Sequence, residues 1–332
     1  MKKFSILTIS TVLLLLGVVL GVFYWWRNVS SPVGDNSESQ RFVIAKGSSA
    51  STVSVNLEKE GLIKSALAFK IYVQVFDKSK NINAGEFNLS SSMTLQEIAD
   101  ALGKGPLELW VTIPEGLRRE EVVQKFVKGL EKNGDTREVF IQEFLDFSKG
   151  QEGYLFPDTY LFPRDVSGKK VVEKMLSNFE IKYAEVGNNP KFDKKDIVIM
   201  ASLIEKETKT DEERPLVSGI LWKRIDAGWF LQVDACSQYF LGGEKCIVEN
   251  ESCDWWPELT LSDLENSNKY NTYKNYGLPP TPIANPGLTS LSAAANPTES
   301  TYWYYIHSPD GVIHFAVDLS EHNMNIRKYL GK

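Results

Sequence analysis

The sequence predicts an α+β chain. It reads as one N-terminal membrane-spanning helix, a small mixed unit, and a larger, mostly helical part that closes in a short strand pair. Three observations carry this. An uncharged run of 23 residues stands at the N-terminus, Phe4 to Trp26. Short strand-like segments and amphipathic helical stripes are mixed over 41–105. Beyond 106, helical periodicity dominates until two aromatic strands near the C-terminus. The 332 residues make about two domains' worth of chain.

The N-terminal run is about 34 Å long as a helix, against a bilayer core of about 30 Å. Lys2 and Lys3 precede it and favour the cytoplasmic side, and Tyr24, Trp25 and Trp26 sit where an interfacial aromatic belt belongs. A cleaved signal peptide is the alternative, but the run exceeds a normal signal core and no small-x-small site follows at once. The expectation is therefore an uncleaved single-pass anchor in the cell (inner) membrane, 1–27, with the N-terminus cytoplasmic and the bulk of the chain outside. Residues 28–40 are expected to be a polar linker.

The small unit, 41–105, starts with a strand at RFVI. A helix with an apolar stripe at Val53, Leu57 and Leu62 and a second helix from Ser65 follow. A strand-turn piece spans Ile82 to Leu89. Thr94 with Glu97 forms a capping box in front of a helix that faces Ile98, Ala99 and Leu102 inward. From Leu107, LELWVTI alternates as a strand and Pro114 ends it. Helices are expected over Arg118–Leu130, 138–147, Val171–Ala184, 193–208 and Arg214–Ala227, with QEGYLFPDTYLFP (151–163) as an ordered loop. The chain is then expected to be loop-rich. It closes with a helix near Ser290–Ala295 and the strands YWYYIHS and GVIHFAV, joined by Pro309-Asp310-Gly311. Residues 106–190 form an intermediate part and 191–332 the core of the larger region.

Composition narrows the chemistry. Apolar residues at 42% and charged residues at 24% suit a folded globular protein. Three histidines without metal-ligand spacing leave no metal expected, and no cofactor motif is present. Net charge is −6, with no basic tract, so no nucleic-acid partner is expected. Without Lys2, Lys3 and Arg27, 34 basic residues face 43 acidic ones. One disulfide between two of Cys236, Cys246 and Cys253 is expected, the pair being left open.

The most informative segment is IVIMASLIEKET. On a helix, Met200, Leu203, Ile204 and Glu207 share a face, so an apolar wall ends in a carboxylate. Desolvation at such an edge raises a carboxyl pKa, as a general acid requires near neutral pH. A carboxylate that only starts the polar end of the helix, or pairs with Arg214 or Lys209, is the plainer reading of the same residues. Glu205 is the runner-up acid. Two-carboxylate hydrolysis needs a second acid. Glu152, Asp158 and Asp234 are available, but no spacing singles one out. Tyr154 and Tyr160, in the aromatic loop with Glu152, could stack on sugar faces or could be plain core. His307, His314 and His322 straddle the final strand pair, and His314 and His322 could reach one cleft, with no third ligand at suitable spacing.

Several of these stretches together resemble the MltG (YceG-like) family of endolytic murein transglycosylases. The matching motifs are EGYLFPDTY (152–160), ASLIEKET (201–208), RIDAGWFLQVD (224–234), YNTY (270–273), GLPPTPIANPG (277–287) and HFAVDLSEHN (314–323). The resemblance covers nearly the whole chain. It implies a LysM-like module over 41–105 and a lysozyme-like catalytic domain beyond. The implied reaction is cleavage of the β-1,4 bond between N-acetylmuramic acid and N-acetylglucosamine inside peptidoglycan strands, leaving a 1,6-anhydromuramyl end. Glu207 then corresponds to the catalytic acid. Glu152, Tyr154, Tyr160, Gln232, Asp234, Asn271, Tyr273 and His314 fall in or beside the implied cleft as substrate-binding or supporting residues. Partners implied are glycan strands and the peptidoglycan synthases of elongation or division. A muramidase-type hydrolase at the same bond and a non-catalytic wall-binding scaffold are the competing functions. The chain departs from the family after LQVD, where a Cys- and Trp-bearing stretch, 235–258, is expected to be an inserted loop.

Overall fold

In the computed structural model of the chain, residues 2–35, 37–45, 47–103, 105, 108–187, 189–248 and 253–331 are described. They form two compact units. The first is Met1–Trp110 with Leu161–Arg164, the second Val111–Tyr160 with Asp165–Lys332. Where the sequence reading separates 106–190 from 191–332, most of both stretches lies in the second unit.

The first unit begins with helix α1 (Lys2–Ser30), whose window Leu13–Ser30 is long and apolar enough to cross a membrane. Strand β1 (Gln40–Ile44), helices α2 (Ala50–Lys59) and α3 (Ala66–Val75), strand β2 (Gly85–Leu89) and helix α4 (Leu95–Gly103) follow. β1 and β2 are antiparallel, with Phe42 opposite Phe87. β3 (Glu108–Thr112) pairs with β2 through Glu108 opposite Glu86, and the strand order is β1-β2-β3-β4, β4 being Thr159–Pro163. Leu107, the expected first residue of β3, lies outside the described residues. Caps set the helix starts. Ser49 and Ser65 each accept a backbone N–H of their own first turn. Thr94 and Glu97 exchange the two bonds of a capping box. Phe42, Leu57, Phe69, Phe87 and Ile98 fill the core at 3% exposure or less.

The expected linker, 28–40, is partly held to the unit. α1 runs on to Ser30, and the next residues are tied to the unit: the backbone N–H groups of Val33 and Gly34 both donate to Ser91 O, at 3.0 and 3.1 Å. A polar segment can be ordered when its backbone groups find partners.

The second unit holds α5 (Arg119–Gly129), α6 (Gly134–Phe147), α7 (Gly168–Val186), α8 (Lys194–Glu207), α9 (Arg214–Asp226), α10 (Asp234–Lys245), the short α11 (Leu261–Leu264) and α12 (Leu288–Ala295). The hairpin β5 (Tyr304–His307) and β6 (Ile313–Ala316) and helix α13 (Leu319–Asn325) complete it. α8 is its axis. Asp193 caps its start by accepting Asp196 N–H at 2.7 Å. Every residue from Ile197 to Ile204 is buried, against Val217 and Leu221 of α9 and Leu291 and Ala294 of α12. The helix is thus apolar nearly all round, wider than the single stripe read from sequence. It stops at Glu207 because Thr208 turns extended and returns both its N–H and its hydroxyl to Ile204 O.

The stretch 235–258 is not a plain loop. Its first part is α10, which continues through Gly242 because a Cβ there would stand 2.1 Å from Trp255 O. Glycine at this point is a packing requirement and not a helix stop. Residues 249–252 of the stretch lie outside the described residues.

Candidate functional site

Glu207 is the last residue of α8, half-buried, at the end of its apolar wall. Tyr305 of β5 donates its hydroxyl to Glu207 Oε2 at 2.7 Å. Burial pushes the Glu207 carboxyl up to about 7. Asp234 adds to the rise, while the Tyr305 hydrogen bond and the Arg224 guanidinium oppose it. The carboxyl also sits at the negative end of the α8 dipole, which favours its neutral form. Burial and the neighbouring Glu207 charge hold the Tyr305 phenol far above its ordinary value, so it stays a donor.

Arg224 reaches this place through the backbone. Its guanidinium donates to Trp303 O at 2.7 and 3.0 Å and to Leu231 O at 2.6 Å. It therefore pins the residue before β5 and the start of the LQVD segment to α9. That segment is also sewn to YNTY: Gln232 N–H donates to Thr272 O at 3.2 Å and Val233 N–H to Thr272 Oγ1 at 2.9 Å. Asp234 and Tyr273 are brought together by it, and the Tyr273 hydroxyl donates to Asp234 Oδ1 at 2.6 Å. Both interact electrostatically with Glu207. Gln232 has φ of 56°, a left-handed conformation that costs a non-glycine residue about 1 kcal/mol. Its side chain is exposed beside this cluster.

The other expected site residues lie elsewhere in the packing. Glu205 accepts from Arg214 at 3.1 Å and from Gly287 N–H at 3.0 Å, so it fastens the segment before α12 to α8. Asn271 is fully buried, with its amide nitrogen given to Leu264 O and Asn266 O and its oxygen taken by Tyr273 N–H; it shapes a loop. Tyr160 is buried against Phe126 and donates to Phe156 O at 2.7 Å. Tyr154 packs edge-on against Phe179. Of the two readings open for these aromatics, Tyr160 takes the core one, while Tyr154 is half-buried at the edge of the α8 cluster. His314 stands apart from the Glu207 cluster. Register places Phe315 opposite Tyr305 and His314 opposite Ile306, so His314 points to the other face of the hairpin from the Glu207 partner. There it meets Ser308 Oγ at 3.0 Å and stacks on Tyr329.

Glu152 is 5% exposed and belongs to a separate buried knot. It accepts from Arg119 N–H at 3.1 Å, Asn285 Nδ2 at 2.8 Å and Tyr239 Oη at 3.3 Å. Burial and Glu120 raise its carboxyl pKa to about 8, against the pull of Arg118 and Arg119. Asn285 also accepts the N–H groups of Gly153 and Leu155, both at 2.9 Å. Gly153 has φ of 88°, and a Cβ there would lie 2.6 Å from Pro282. EGYLFPDTY and GLPPTPIANPG are thus two halves of one scaffold. Asn285 and Tyr305 were not singled out by sequence reasoning, since their partners are 133 and 98 residues away.

Cys246 and Cys253 form a disulfide, and Cys236 is a buried free thiol. Beside the disulfide, Arg118 lies between the rings of Tyr239 and Trp255, at 4.3 and 4.5 Å. Trp256 donates to Glu121 at 3.0 Å, and Lys206 Nζ stands 3.6 Å from the centre of its ring. The cysteine-bearing stretch thus braces the last turn of α8. A hollow of about 490 Å³ lined by Leu261, Leu264, Glu265 and Tyr273 adjoins the Asp234–Tyr273 pair. A larger one of about 570 Å³, at Phe192, Trp222 and Lys223, has none of the Glu207 cluster in its lining and is not the candidate site.

The profile of the YceG-like family matches residues 42–328. An endolytic murein transglycosylase of Bacillus subtilis is 29% identical over 94% of this chain and 91% of its own length. One from Streptococcus pneumoniae is 26% identical over 90% of this chain, which spans 60% of that longer protein. In structure, the yceG-like protein lmo1499 from Listeria monocytogenes aligns with a TM-score of 0.55 and 29% identity, over 87% of this chain and 99% of that one.

Proposed function

Because the chain belongs to the YceG-like family, we propose that it is an endolytic murein transglycosylase of the cell wall, with Glu207 as its single acid–base group. One observation carries the residue assignment. A carboxyl with its pKa raised to about 7 stands at the rim of an apolar helix, held by one hydroxyl donor. Near neutral pH a large fraction of such a group is protonated.

Protonated Glu207 gives its proton to the glycosidic oxygen between muramic acid and glucosamine as the bond from C1 breaks. The carboxylate then takes the proton of the C6 hydroxyl, whose oxygen bonds to C1 of the same sugar. No water is consumed, and the product end is the 1,6-anhydro sugar. The nucleophile is already attached to the reacting ring, so little entropy is lost in bringing it up. This accounts for a site built on one acid: a second carboxylate is needed to activate water, and here there is no water to activate. Asp234, Tyr273 and the exposed Gln232 side chain line the same edge and are positioned to hold acetamido groups. Tyr305 orients the carboxyl and stabilises its charged form between the two proton transfers.

The order β1-α2-α3-β2, two helices between antiparallel strands, supports reading 41–105 as the LysM-like module. The buried helix α8 wrapped by α9, α10 and α12 supports a lysozyme-like catalytic part. α1 crosses the membrane with Lys2 and Lys3 inside, which puts Glu207 on the wall side beside the synthases of elongation or division.

The test is digestion of purified peptidoglycan by the full chain and by Glu207→Gln, with mass analysis of glycan ends. Anhydro ends from the first and none from the second are expected. Reducing ends would replace the reaction with a muramidase's. Equal products from both proteins would remove Glu207, and no product from either would leave a wall-binding scaffold.

A further inference from the structure

α3 carries an apolar face that the described residues of the first unit leave exposed. Leu67 is 62% exposed, Ile71 39% and Val75 71%, and Phe76 just beyond is 60% exposed. The opposite face, Ala68, Phe69, Tyr72 and Val73, is the core of the unit. Leu67, Ile71 and Val75 lie four residues apart and cover an arc of about 80° on the helix. Tyr72 and Ala68 border that arc on one side, while the polar Lys70 and Gln74 border it on the other.

The Tyr72 edge is where α1 arrives. Trp26 stacks on the Tyr72 ring at 6.0 Å between centroids, and Trp26 and Val29 pack against the core of the unit. The chain beyond α1 is held down as well. Lys64 Nζ donates to Ser31 Oγ at 2.7 Å, and Val33 and Gly34 are bonded to Ser91. The first residues past the apolar helix, Ser31, Val33 and Gly34, are thus held to the unit that carries α3. The stripe is bordered, at Tyr72, by Trp26 of α1, and Tyr24 and Trp25, which precede Trp26 in sequence, are exposed.

We propose that α3 is an interfacial helix: its Leu67-Ile71-Val75 face, with Phe76, lies in the outer leaflet beside α1, so that the first unit rests on the bilayer. This rests on the reading that α1 spans the membrane. The occupant is lipid because Trp26, at the outer end of the helix read as spanning, stacks on Tyr72 at the border of the stripe. An apolar helix face with its polar edge turned to water is what such a helix requires. Lys70 on the polar edge and Arg27 at the membrane exit suit the headgroup level. The module is then fixed at the membrane and does not reach into the wall on a tether.

The full chain is reconstituted in phosphatidylcholine vesicles with an environment-sensitive fluorophore on a single introduced cysteine, at Ile71→Cys, Val75→Cys or, on α1, Leu16→Cys. Cys236 is buried and the other two cysteines are paired, so the unsubstituted protein sets the labelling background. Quenching is read with iodide in the water and with nitroxides on the acyl chain, one near the headgroup for positions 71 and 75 and one near the chain end for position 16, which lies about 15 Å below Trp26. All three positions are expected to be quenched by the matching nitroxide lipid and protected from iodide. Lipid quenching at 16 with iodide quenching at 71 and 75 overturns the interfacial helix and leaves the anchor standing. Loss of lipid quenching at 16 overturns the anchor itself and the inference with it. Protection at 71 and 75 from both quenchers means that protein covers the stripe, a second copy included, and also overturns the proposal.

Discussion

The Glu207 carboxyl is pulled in two directions by groups that arrive from different parts of the chain. The apolar run of α8 desolvates it, and Tyr305 offers a hydrogen bond that only the charged form uses fully. The first effect wins, so the folded-state pKa lies above the ordinary value. Folding then binds a proton more tightly than the unfolded chain does. That part of the stability is complete below pH 4.5 and is lost as pH rises to about 7. Allowing for partial exposure, the loss is on the order of 2 kcal/mol. Glu207→Gln should therefore abolish transglycosylation while matching or exceeding the parent in stability at pH 8, by thermal unfolding at pH 5 and 8. A Gln variant that unfolds earlier at both values would contradict the desolvated acid. Tyr305→Phe separates orientation from acidity. Without the donor the carboxyl pKa rises further, so the alkaline limb of the activity profile should move up by roughly one pH unit, with a lower maximal rate. An unmoved limb would make Tyr305 a packing residue only. The desolvated setting of Glu207 was legible in the sequence because part of it is local, set by Met200, Leu203 and Ile204 on its own helix face. Tyr305 was not, because alternation places it on a strand face without saying which carboxylate that face meets.

Elements with local causes were legible and those with distant causes were not. α4 announces itself by Thr94 and Glu97, and α8 by its apolar run, since caps and periodicity are encoded within a few turns. α10 is hidden because its glycine pair has the look of a break, and only the Trp255 carbonyl lying against Gly242 explains it. Tyr154 and Tyr160 stay open between two readings in the sequence for a related reason: an aromatic loop rich in proline has the same composition whether it lines a groove or fills a core. The cysteine stretch is the element on which chemistry is simplest to test. Cys246–Cys253 closes a short loop, and Trp256, three residues beyond it, lays its ring against Lys206, next to the acid. Closing a loop this short contributes about 2 kcal/mol in the chain-entropy account. A Cys246→Ser, Cys253→Ser double variant should lose that much stability in denaturant unfolding. Thiol labelling counted by mass should find no reactive thiol in the native protein, one after unfolding, and three after unfolding with reductant. A reactive thiol in the native protein would mean a different pairing or an open Cys236, although burial holds the Cys236 thiol well above its ordinary pKa.

At the scale of the whole molecule, the two units have separate cores. Phe42, Leu57, Phe69 and Phe87 belong to one apolar cluster, and Ile199, Leu203, Leu221 and Leu291 to the other. A core is the cooperative element of a domain, because its side chains lose their contacts together. A cavity made in one cluster should then be felt by the amides of that cluster first. Leu57 has no exposed surface, and truncation of such a leucine removes about 2–5 kcal/mol. Leu57→Ala in the full chain should therefore speed hydrogen exchange at the β1 and β2 amides. Exchange along Ile199–Ile204 of α8 should stay at the parent rate, and Glu207-dependent cleavage of glycan should persist. The same acceleration in α8 as in β1 would mean that the chain unfolds as one body, with the acid's desolvated setting dependent on the small unit as well. The opposite variant sharpens the comparison. Leu203→Ala, also without exposed surface, should leave β1 and β2 protected and abolish cleavage, because the wall that keeps Glu207 protonated is the wall being removed.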